Sequence, residues 1–433
     1  MIEVSTKQER IAELAKRKPW ISFTSLNHHL NLEWLKEAYK RVKKYGSSGV
    51  DGVSAGEYGE NLEENLADLL ERAKSGTYYA PPVKRGYIPK GIKGDRRPIG
   101  IPTTEDKVLQ KAVTMLLEPI YEQDFRDCSM GYRPNRSPHQ ALEKIRRSLM
   151  EMGGGWVFDV DVKGYFDNID HGCLRDLLRQ RVRDGVLVKL IGKWLHAGVM
   201  EEYRVWYPES GTPQGAVISP LLSNIYLHYV LDEWFEEVVK RHLKGRAELV
   251  RFADDFVIFC QYRHDAERVQ EVLVKRFEKY SLQLHPEKTR MVRFISPRGG
   301  GGKPETFNFL GFTHYWEKSR KGNWVVRQKT AKDRLTRSLG KVWQWCRKHR
   351  HDPVEKQCKG LCRKLLGHYG YYGITGNWKQ IKRFYWFVKR AWRYWLNRRR
   401  RENDMPWRRF LKLLERYPLT QPRIVHSIYA AKP

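Results

Sequence analysis

Two adjacent aspartates stand between two apolar, β-prone stretches of the chain. Asp254 and Asp255 lie between residues 249–253 and residues 256–260. This pattern predicts a β-hairpin with two carboxylates at its tip. Neighbouring carboxylates repel each other and are costly to bury unpaired, so a hard divalent cation, Mg²⁺ above all, is the usual compensation. The alternative is a polar hairpin turn, because Asp is a common turn residue.

A third candidate carboxylate lies earlier in the chain. Residues 156–162 alternate between apolar and acidic types as a strand would, which puts Asp159 and Asp161 on one face. Nucleotidyl transfer uses two cations about 3.5–4 Å apart, one activating the attacking 3′-OH and one steadying the leaving pyrophosphate. Asp161 and the Asp254–Asp255 hairpin supply ligands for them if their strands are neighbours in one sheet. From its own segment alone, a purely structural role for Asp161 stays open.

The elements that must position these carboxylates are helices separated by single strands and hairpins. Gly46–Gly52 predicts a turn, and residues 90–102 predict a basic hairpin that closes over phosphates or is an ordinary solvated loop. Helices are predicted at 1–45, at 62–70, from Thr103 or Thr104 to near Pro119, from Pro138 to about Glu151, at 219–239, at 264–280 and throughout from Lys329. Strands are predicted at 78–89 and 156–162, with strand, turn and strand at 281–295. This order favours an α+β fold over a doubly wound sheet.

The positive charge of the chain is concentrated in its rear part. The 433 residues carry 81 Lys and Arg against 50 Asp and Glu, a net charge of +31. Residues 316–433 alone contribute about +25 of that excess, together with nine of the fifteen tryptophans. A nearly neutral front with a strongly basic rear indicates a globular body with a region that binds a polyanion.

Other classes of protein are disfavoured by the composition. No run approaches the roughly 18 apolar residues of a membrane-spanning helix, and residues 1–18 lack the apolar core of a secretory signal. The six cysteines form no CxxC pair, and Cys358 and Cys362, four residues apart on a predicted helix, are not enough for a metal site. We expect a cytoplasmic protein of the bacterial cytoplasm or nucleoid, with reduced cysteines, no zinc and no membrane partner.

Several short blocks together resemble the conserved blocks of reverse transcriptases. Asp161–His171 resembles the first catalytic block and Phe252–Asp255 the second. The remaining blocks follow the family order, namely Gly49–Gly52, Arg97–Pro102, Gly131–Asn135, Gly211–Gly215, Leu282–Thr289 and Phe309–Phe312. Gly367–Asn377 echoes a maturase signature. The chain is therefore identified as similar to the group II intron-encoded reverse transcriptase/maturase family over nearly its whole length.

The resemblance implies a role for each carboxylate of the site. It makes Asp161 and Asp254 metal ligands, adds the backbone carbonyl of Val162 as a further ligand, and makes Asp255 the supporting carboxylate. The expected cofactor is a pair of Mg²⁺ ions, for which Mn²⁺ can substitute. The family usually has Tyr where Phe252 stands, so the ring that packs beside the primer terminus is kept and its hydroxyl is lost.

The resemblance also implies residues that hold the incoming nucleotide. Phe166 falls where the family has its steric gate against the ribose 2′-OH, although an ordinary core aromatic is the alternative reading. Gln214 would line the nucleotide pocket. Lys90 and Arg97 would grip the triphosphate, with backbone N–H groups from Gly164 and Tyr165. Lys288 would lie near the primer end or the carboxylates, although a plain surface lysine is also compatible with its segment.

For the rear part, the resemblance implies nucleic-acid binding by three helices of a thumb and maturase region. Aromatic rings beside cations suit stacking and phosphate contacts, although most of the tryptophans are expected to be core. Arg398 to Arg401 can contact a nucleic-acid backbone or form a solvated helix end. The contact candidates are Trp386, Lys389, Arg390, Arg393, Arg398, Arg399, Arg400 and Arg401.

The chain is expected to form three domains. Residues 1–315 would form the fingers and palm, 316–395 the helical thumb and maturase domain, and 396–433 a basic tail that binds nucleic acid. The family's optional HNH endonuclease is expected to be absent, so retrohoming would rely on nicks or exposed single strands.

The resemblance implies an RNA-directed DNA polymerase that copies intron RNA and promotes its splicing. Its partners would be group II intron RNA, an RNA template with a DNA primer, target DNA and dNTPs, with a monomer favoured. The alternatives are a domesticated enzyme in repair or defence, and a splicing maturase with little polymerase role.

Overall fold

A computed structural model describes most of the chain. The chain divides into two compact units. The described residues are 2–43, 45–89, 96–201, 204–207, 209–212, 215–297, 304–399 and 405–427. The first unit comprises Met1–Ala141 and Phe158–Met291, and the second comprises Leu142–Val157 and Val292–Pro433. Residues 142–157 are therefore grouped with the C-terminal part of the chain.

Helices make up most of both units. A five-residue π-helical turn, His228–Asp232, joins two of them, α9 and α10. Short 3₁₀ turns occur at Leu26–His29, Tyr165–Asp167 and Val239–His242. The α-helices are α1 Ile2–Arg17, α2 Leu32–Arg41, α3 Ala55–Tyr58, α4 Leu62–Ser75, α5 Thr104–Asp124, α6 Pro138–Glu151, α7 His171–Arg179, α8 Gly185–Leu195, α9 Ser219–Leu227, α10 Glu233–Glu237, α11 Arg263–Lys279, α12 Lys332–Lys348, α13 Val354–Tyr372, α14 Trp378–Asn397 and α15 Trp407–Arg416.

Helix α5 is the central helix of the first unit, and it is longer than the sequence predicts. The Thr103 side chain caps its start by accepting a hydrogen bond from the Asp106 N–H, as expected. The predicted end near Pro119 is wrong, because the helix continues to Asp124. Pro119 cannot donate to the carbonyl of Met115, and the Gln8 side chain donates to that carbonyl instead, over 2.9 Å. This contact from α1 offsets the bond that the proline removes.

The strands form three sheets. One sheet has the order β2-β1-β4-β5, a second has the order β6-β7-β3-β8, and a third has the order β11-β10-β9. Separate small sheets among many helices confirm the predicted α+β class. The strands are β1 Val83–Pro89, β2 Arg96–Ile101, β3 Gly154–Val160, β4 Val199–Glu201, β5 Arg204–Trp206, β6 Ala247–Phe252, β7 Asp255–Cys260, β8 Arg290–Ile295, β9 Phe307–Phe309, β10 Phe312–Lys318 and β11 Trp324–Thr330.

Two of the predicted hairpins are present in the first unit. Strands β6 and β7 pair antiparallel with Phe252 opposite Asp255, so only two residues make the turn. Strands β1 and β2 pair antiparallel from Lys84–Ile101 to Pro89–Arg96. The tip of that hairpin, including Lys90, lies outside the described residues. Pro98 is tolerated because β2 is an edge strand and needs no second partner.

One predicted strand pair is reduced to a single strand. Only β8 forms in the range 281–295, and the expected first strand is a single bridge between Leu284 and Val162. Pro286 has no N–H to donate, and the chain turns directly after it, where Thr289 N donates to His285 O over 2.9 Å. The segment is therefore a turn that holds Lys288 next to the end of β3.

The second unit combines a small antiparallel sheet with helices α12 to α15. The first residues of the helical domain expected at 316–395 are not helical, because β10 and β11 form a hairpin up to Thr330. Burial in β11 alternates with a period of two residues, which is the strand pattern. Helices then follow from Lys332. Phe410 of α15 and Leu419 are buried in the same core as Trp392, so part of the predicted tail belongs to this helical domain.

Candidate active site

The turn between β6 and β7 presents the two adjacent aspartates. Asp254 is half-buried and Asp255 is exposed at the start of β7. Ala253 takes the left-handed φ of +60°, which non-glycine residues seldom adopt. A Cβ atom on Gly131 would collide with the Ala253 nitrogen, so glycine is required where this second segment packs on the turn.

Asp161 stands directly after β3, which is the neighbour of β7 in the same sheet. His285 N donates to Asp161 O over 2.8 Å, and Lys163 N donates to Gln283 O over 2.9 Å. These two bonds flank Val162, so the Val162 carbonyl points away from the 283–285 segment, as strand alternation requires. The arrangement required by the sequence-based prediction, with Asp161 and the aspartate turn on adjacent strands, is therefore present.

Two cations hold the carboxylates along this edge of the sheet. Lys288 Nζ lies 2.7 Å from Asp161 Oδ2, and Arg290 Nε lies 3.3 Å from Asp159 Oδ2. Burial raises the pKa of Asp159, and the Arg290 charge opposes that shift. Of the two positions expected for Lys288, the structure places it against a carboxylate.

The electrostatics of Asp254 reflect its crowded position. Burial raises the pKa of Asp254, and the negative charge of Asp161 raises it further. The positive charges of Arg97 and Arg251 oppose the shift. Two carboxylates that repel each other in a partly desolvated place offer the oxygen donors that Mg²⁺ prefers, so the donor set fits the expected cation. No group of three or more His, Cys, Asp or Glu side chains is assembled as a metal cluster among the described residues.

The backbone after Asp161, where the nucleotide pocket is expected, packs against Gly211 and Thr212. Thr212 N donates to Phe166 O over 2.7 Å. A Cβ atom on Gly211, whose φ is +93°, would lie 2.8 Å from the carbonyl oxygens of both Phe166 and Asp167. Phe166 is half-buried and contacts Tyr165 edge-on, with ring centroids 5.4 Å apart. Gln214, expected to line this pocket, lies outside the described residues.

Tyr165 and Gly164 differ in what they offer to a substrate. The Tyr165 ring is buried and its hydroxyl donates to Ser223 O over 2.7 Å, so the side chain is structural. Gly164 is exposed and has a left-handed φ of +53°. A contribution of this pair to phosphate binding is thus confined to the backbone.

Arginines from the β1–β2 hairpin lie close to the same backbone. Arg85 and Arg97 both oppose the upward pKa shift that burial gives Asp167. The Arg85 guanidinium lies over the Trp206 ring at 5.2 Å. A cavity of about 180 Å³ is lined by Arg85, Asp167 and Trp206 together with Ser210 and Thr212. The position of Arg97 near Asp167 and Asp254 suits the predicted contact with a triphosphate, and Arg85 is a further cation that the sequence did not single out.

Tyr132 is a functional candidate that reasoning from the sequence missed. Its side chain is 55% exposed, its φ is +57°, and it follows Gly131, whose backbone contacts the aspartate turn. Burial raises the pKa of the Tyr132 phenol, and the charges of Asp254 and Asp255 add to the shift. An exposed ring beside both carboxylates is placed to contact a substrate. The sequence contains a signal for it, since Tyr132 lies in the Gly131–Asn135 block that resembles the family.

The predicted nucleic-acid contacts in the second unit divide into internal and exposed groups. Lys389 is buried, with its ammonium 4.6 Å from the Trp386 ring centroid. Arg393 donates to Met405 O over 2.9 Å and stacks over Trp407. Arg399 donates to the carbonyls of Arg350 and Asp352. These three cations, predicted as nucleic-acid contacts, each make contacts within the fold, and the contact with nucleic acid stays a prediction.

The exposed group lies mainly along one side of α14. The set combines four cations with aromatic rings, and α14 contains no acidic residue. Lys382 lies over Trp378 at 5.3 Å, and Arg398, just after the helix, lies over Tyr394 at 5.2 Å. Arg400 and Arg401 lie outside the described residues. We call the following set the α14 face: Trp378, Lys379, Lys382, Arg383, Trp386, Arg390 and Tyr394.

The remaining structural features bear on the class of protein. In the ranges that the structure covers, no helix is long and apolar enough to span a membrane. All six cysteines are free.

Comparison with known proteins gives a family match over more than half of the chain. Residues 86–314 match the family model described as "Reverse transcriptase (RNA-dependent DNA polymerase)". This range contains Asp161, Phe166, Arg97 and the Asp254–Asp255 turn. The family match and the strand arrangement thus concern the same part of the molecule.

Individual relatives extend this similarity. The group II intron-encoded protein LtrA of Lactococcus lactis subsp. cremoris is 48% identical over 167 residues, which is 38% of this chain and 27% of LtrA. Protein YkfC of Escherichia coli (strain K12) is 36% identical over 361 residues, which is 75% of this chain and 91% of YkfC. An uncharacterized 91 kDa protein in cob intron of Schizosaccharomyces pombe is 35% identical over 209 residues, 48% of this chain and 25% of that protein. The matched region thus covers only about a quarter of the length of LtrA.

Proposed function

The chain belongs to the reverse transcriptase family, and on that premise we propose that it is an RNA-directed DNA polymerase of the group II intron type. The observation that supports this most is the adjacency of Asp161 and the Asp254–Asp255 turn in one sheet. A reaction that needs carboxylates from two strands has them side by side here. In this proposal the first unit holds the palm and fingers, and the helices of the second unit form the thumb and maturase region.

Two Mg²⁺ ions would be held by the carboxylates of Asp161 and Asp254, by the Val162 carbonyl and by Asp255. When bound, they supply activation of the primer 3′-OH and stabilisation of the leaving pyrophosphate. The protein's own part is to hold the oxygen donors together despite their repulsion. Lys288, whose ammonium contacts Asp161, would neutralise that carboxylate until the cations arrive.

The incoming nucleotide would lie over the Phe166 segment. The Phe166 ring excludes a ribose 2′-OH and so selects dNTPs over rNTPs. Arg97 and Lys90 bind the triphosphate, with Gln214 at the sugar. Tyr132 adds a ring that stacks on a base or sugar at the primer end, next to Phe252.

The α14 face would bind RNA. Its exposed cations suit phosphate contacts, and Trp386, 53% exposed, offers a surface for base stacking. Cations without acidic partners on the same helix leave a face of uniform sign, which attracts a polyanion at long range.

The source of the RNA is the second part of the proposal. Similarity to intron-encoded proteins favours an intron RNA as both template and splicing substrate. A domesticated enzyme in repair or defence is the alternative for a family member without an intron. The DNA flanking the reading frame distinguishes them, since only the first case has group II intron RNA domains around the gene.

A primer-extension assay tests the polymerase. The purified chain with an RNA template, a DNA primer, dNTPs and Mg²⁺ should extend the primer. With rNTPs extension should be much slower, and Phe166→Ala should increase rNTP use relative to dNTP use. Failure of the folded wild-type chain to extend the primer with Mg²⁺ or Mn²⁺ would contradict the proposal.

A splicing assay tests the maturase part separately. Group II intron RNA incubated at low Mg²⁺ should splice faster with the protein than without it. The stimulation should persist in the Asp254→Asn and Asp255→Asn double variant, because RNA binding is assigned to other residues. A loss of stimulation in the double variant would mean that splicing depends on the polymerase site.

A further inference from the structure

A fully buried ion pair lies next to the Asp254–Asp255 turn. The side chains of Arg251 and Asp232 have no exposed surface. Arg251 Nε donates to Asp232 Oδ1 over 2.7 Å, and its Nη2 donates to Asp232 Oδ2. Taking two charges out of water is unfavourable, and such residues are almost never fully buried unless they are paired. A pair in this position is therefore a candidate for a role beyond packing.

The remaining nitrogen of Arg251 connects this pair to the turn. Nη1 donates to Ala253 O over 3.0 Å. Ala253 precedes Asp254 and has the left-handed φ of +60°. A charge-assisted hydrogen bond to its carbonyl fixes the peptide that leads directly into Asp254. The ion pair thus reaches the site through the backbone and not through a side chain of the site.

Asn224 extends the network to the segment on the other side of the turn. Its Oδ1 accepts from Arg251 Nη1 over 2.9 Å, and its Nδ2 donates to Gly131 O over 2.7 Å. Met130 N donates to Arg251 O over 2.9 Å. The Gly131 segment, which packs on Ala253, is thereby tied to the same guanidinium as the turn itself.

A helical irregularity aligns the two acceptors. Asn224 lies in α9, and Asp232 ends the π-helical turn that follows. Residues eight apart on an α-helix point about 80° away from each other. The wider turn takes up more residues per revolution and reduces that angle, so both side chains meet one guanidinium. Turns of this kind are frequent at functional sites.

We propose that Arg251, Asp232 and Asn224 are positioning residues that orient the Asp254 and Asp255 carboxylates for metal binding. The inference rests on the proposed function and deepens it. None of the three is exposed to a substrate, and all act through Ala253 and Gly131. Groups behind metal ligands commonly change metal affinity or activity by about 10–100-fold when they are removed.

The test separates positioning from packing by replacing both charges together. Removing one partner leaves a buried charge and can unfold the protein, whereas an apolar pair of similar volume is often neutral or stabilising. We expect the Arg251→Met and Asp232→Leu double variant to melt near the wild-type temperature. It should nevertheless bind Mn²⁺ about tenfold more weakly in an electron paramagnetic resonance titration and show a lower kcat in primer extension.

Asn224→Leu provides a second variant in which the ion pair stays intact. It removes only the acceptor for Nη1 and the donor to Gly131 O, and we expect weaker Mn²⁺ binding again. A matched control is Arg181 with Asp124, a largely buried pair in the first unit whose Nε and Oδ2 atoms lie 2.7 Å apart. Arg181→Met with Asp124→Leu should likewise melt near the wild-type temperature, and it should leave the Mn²⁺ affinity unchanged.

The outcomes divide cleanly. If either folded variant of the network keeps both the wild-type Mn²⁺ affinity and the wild-type kcat, the proposal is wrong. If the control pair weakens Mn²⁺ binding as much as the network does, the effect is general destabilisation and the proposal is also wrong. A wild-type chain that binds no Mn²⁺ would instead contradict the proposed function, because the metal site itself would be absent.

Discussion

The aspartate turn and the α14 face differ in whether their charged side chains are buried and paired or exposed. Around the turn, buried cations are matched to particular acids, as Arg251 is to Asp232 and Arg133 is to Glu122. Along the α14 face the cations are exposed, and Lys382 among them lies over the ring of Trp378. Matched buried charges have one stable geometry, whereas exposed cations on flexible stems adapt to many. The difference indicates that one region is built to hold a fixed arrangement and the other to attract a partner.

The largest effect is expected from a change of Asp161, which directly follows the strand next to the aspartate turn. Asp161→Asn removes a proposed metal ligand without changing its volume. A bound cation supplies several kcal/mol of charge stabilisation, so we expect kcat to fall by about 10³-fold or more. The Kd for an RNA–DNA duplex, measured by filter binding, should change by less than about threefold. This is a small effect, because a tenfold change in Kd corresponds to only about 1.4 kcal/mol of binding free energy. A fall in affinity that matches the fall in kcat would contradict the separation of roles.

The reciprocal change removes the four cations of the α14 face. Replacing Lys379, Lys382, Arg383 and Arg390 with Gln should weaken RNA binding by on the order of 100-fold at low salt, because each lost phosphate contact lowers the salt dependence by about one unit of log–log slope. The measurement is Kd as a function of salt concentration. Once RNA is saturating, kcat should stay near the wild-type value.

A control variant sharpens that test. Arg241, Lys275, Lys356 and Lys359 are exposed cations that already pair with acids one helical turn away. Their replacement with Gln removes the same number of charges. An equal loss of affinity in this control would show that net charge, and not the α14 face, determines binding.

Two aromatic residues near the aspartate turn, Tyr132 and Phe252, are expected to give smaller effects. Tyr132→Ala removes a proposed stacking surface and should weaken substrate use by about 1 kcal/mol, or roughly fivefold in kcat/KM. Tyr132→Phe keeps the ring and should lower kcat/KM less.

Phe252→Tyr restores the hydroxyl that the family usually has, and we expect a change in rate or error frequency. Finding neither change in primer extension and product sequencing would mean that the hydroxyl is not used here.

The smallest expected effect is on stability. Burial and Asp161 raise the pKa of Asp254, so its charged form is less favourable in the folded chain than in the unfolded chain. Asp254→Asn should therefore raise the Tm of the metal-free protein at pH 7. The gain should shrink as the pH falls through the folded-state pKa of Asp254, because the wild-type group is then neutral as well. A lower Tm for the variant would contradict this electrostatic account.

The site's carboxylates could be predicted because their signals are local. A two-residue turn between apolar strands identifies the Asp254 hairpin, and alternation identifies the strand that leads to Asp161. The adjacency of the two strands was a condition of the prediction and not its result, since strand order depends on the whole sheet. The resemblance to a family supplied the order of the blocks, and the family match now supports it.

The errors have a common physical cause, which is contact between distant residues. Pro119 ends no helix because the Gln8 side chain takes the free carbonyl. Arg251 was correctly predicted to lie in a strand, but its ion pair was missed because its partner Asp232 lies 19 residues earlier. A cation inside an apolar strand was the available signal, because a fully buried arginine needs a partner.

The most direct test of the central claim compares primer extension by the wild type and by the Asp254→Asn and Asp255→Asn double variant. Both proteins are first bound to the same RNA template and DNA primer, and dNTPs with Mg²⁺ then start the reaction. We predict that the wild type extends the primer and that the double variant, bound equally well, extends it at least about 10³-fold more slowly. Extension by the double variant at a rate close to that of the wild type would contradict the assignment of the active site.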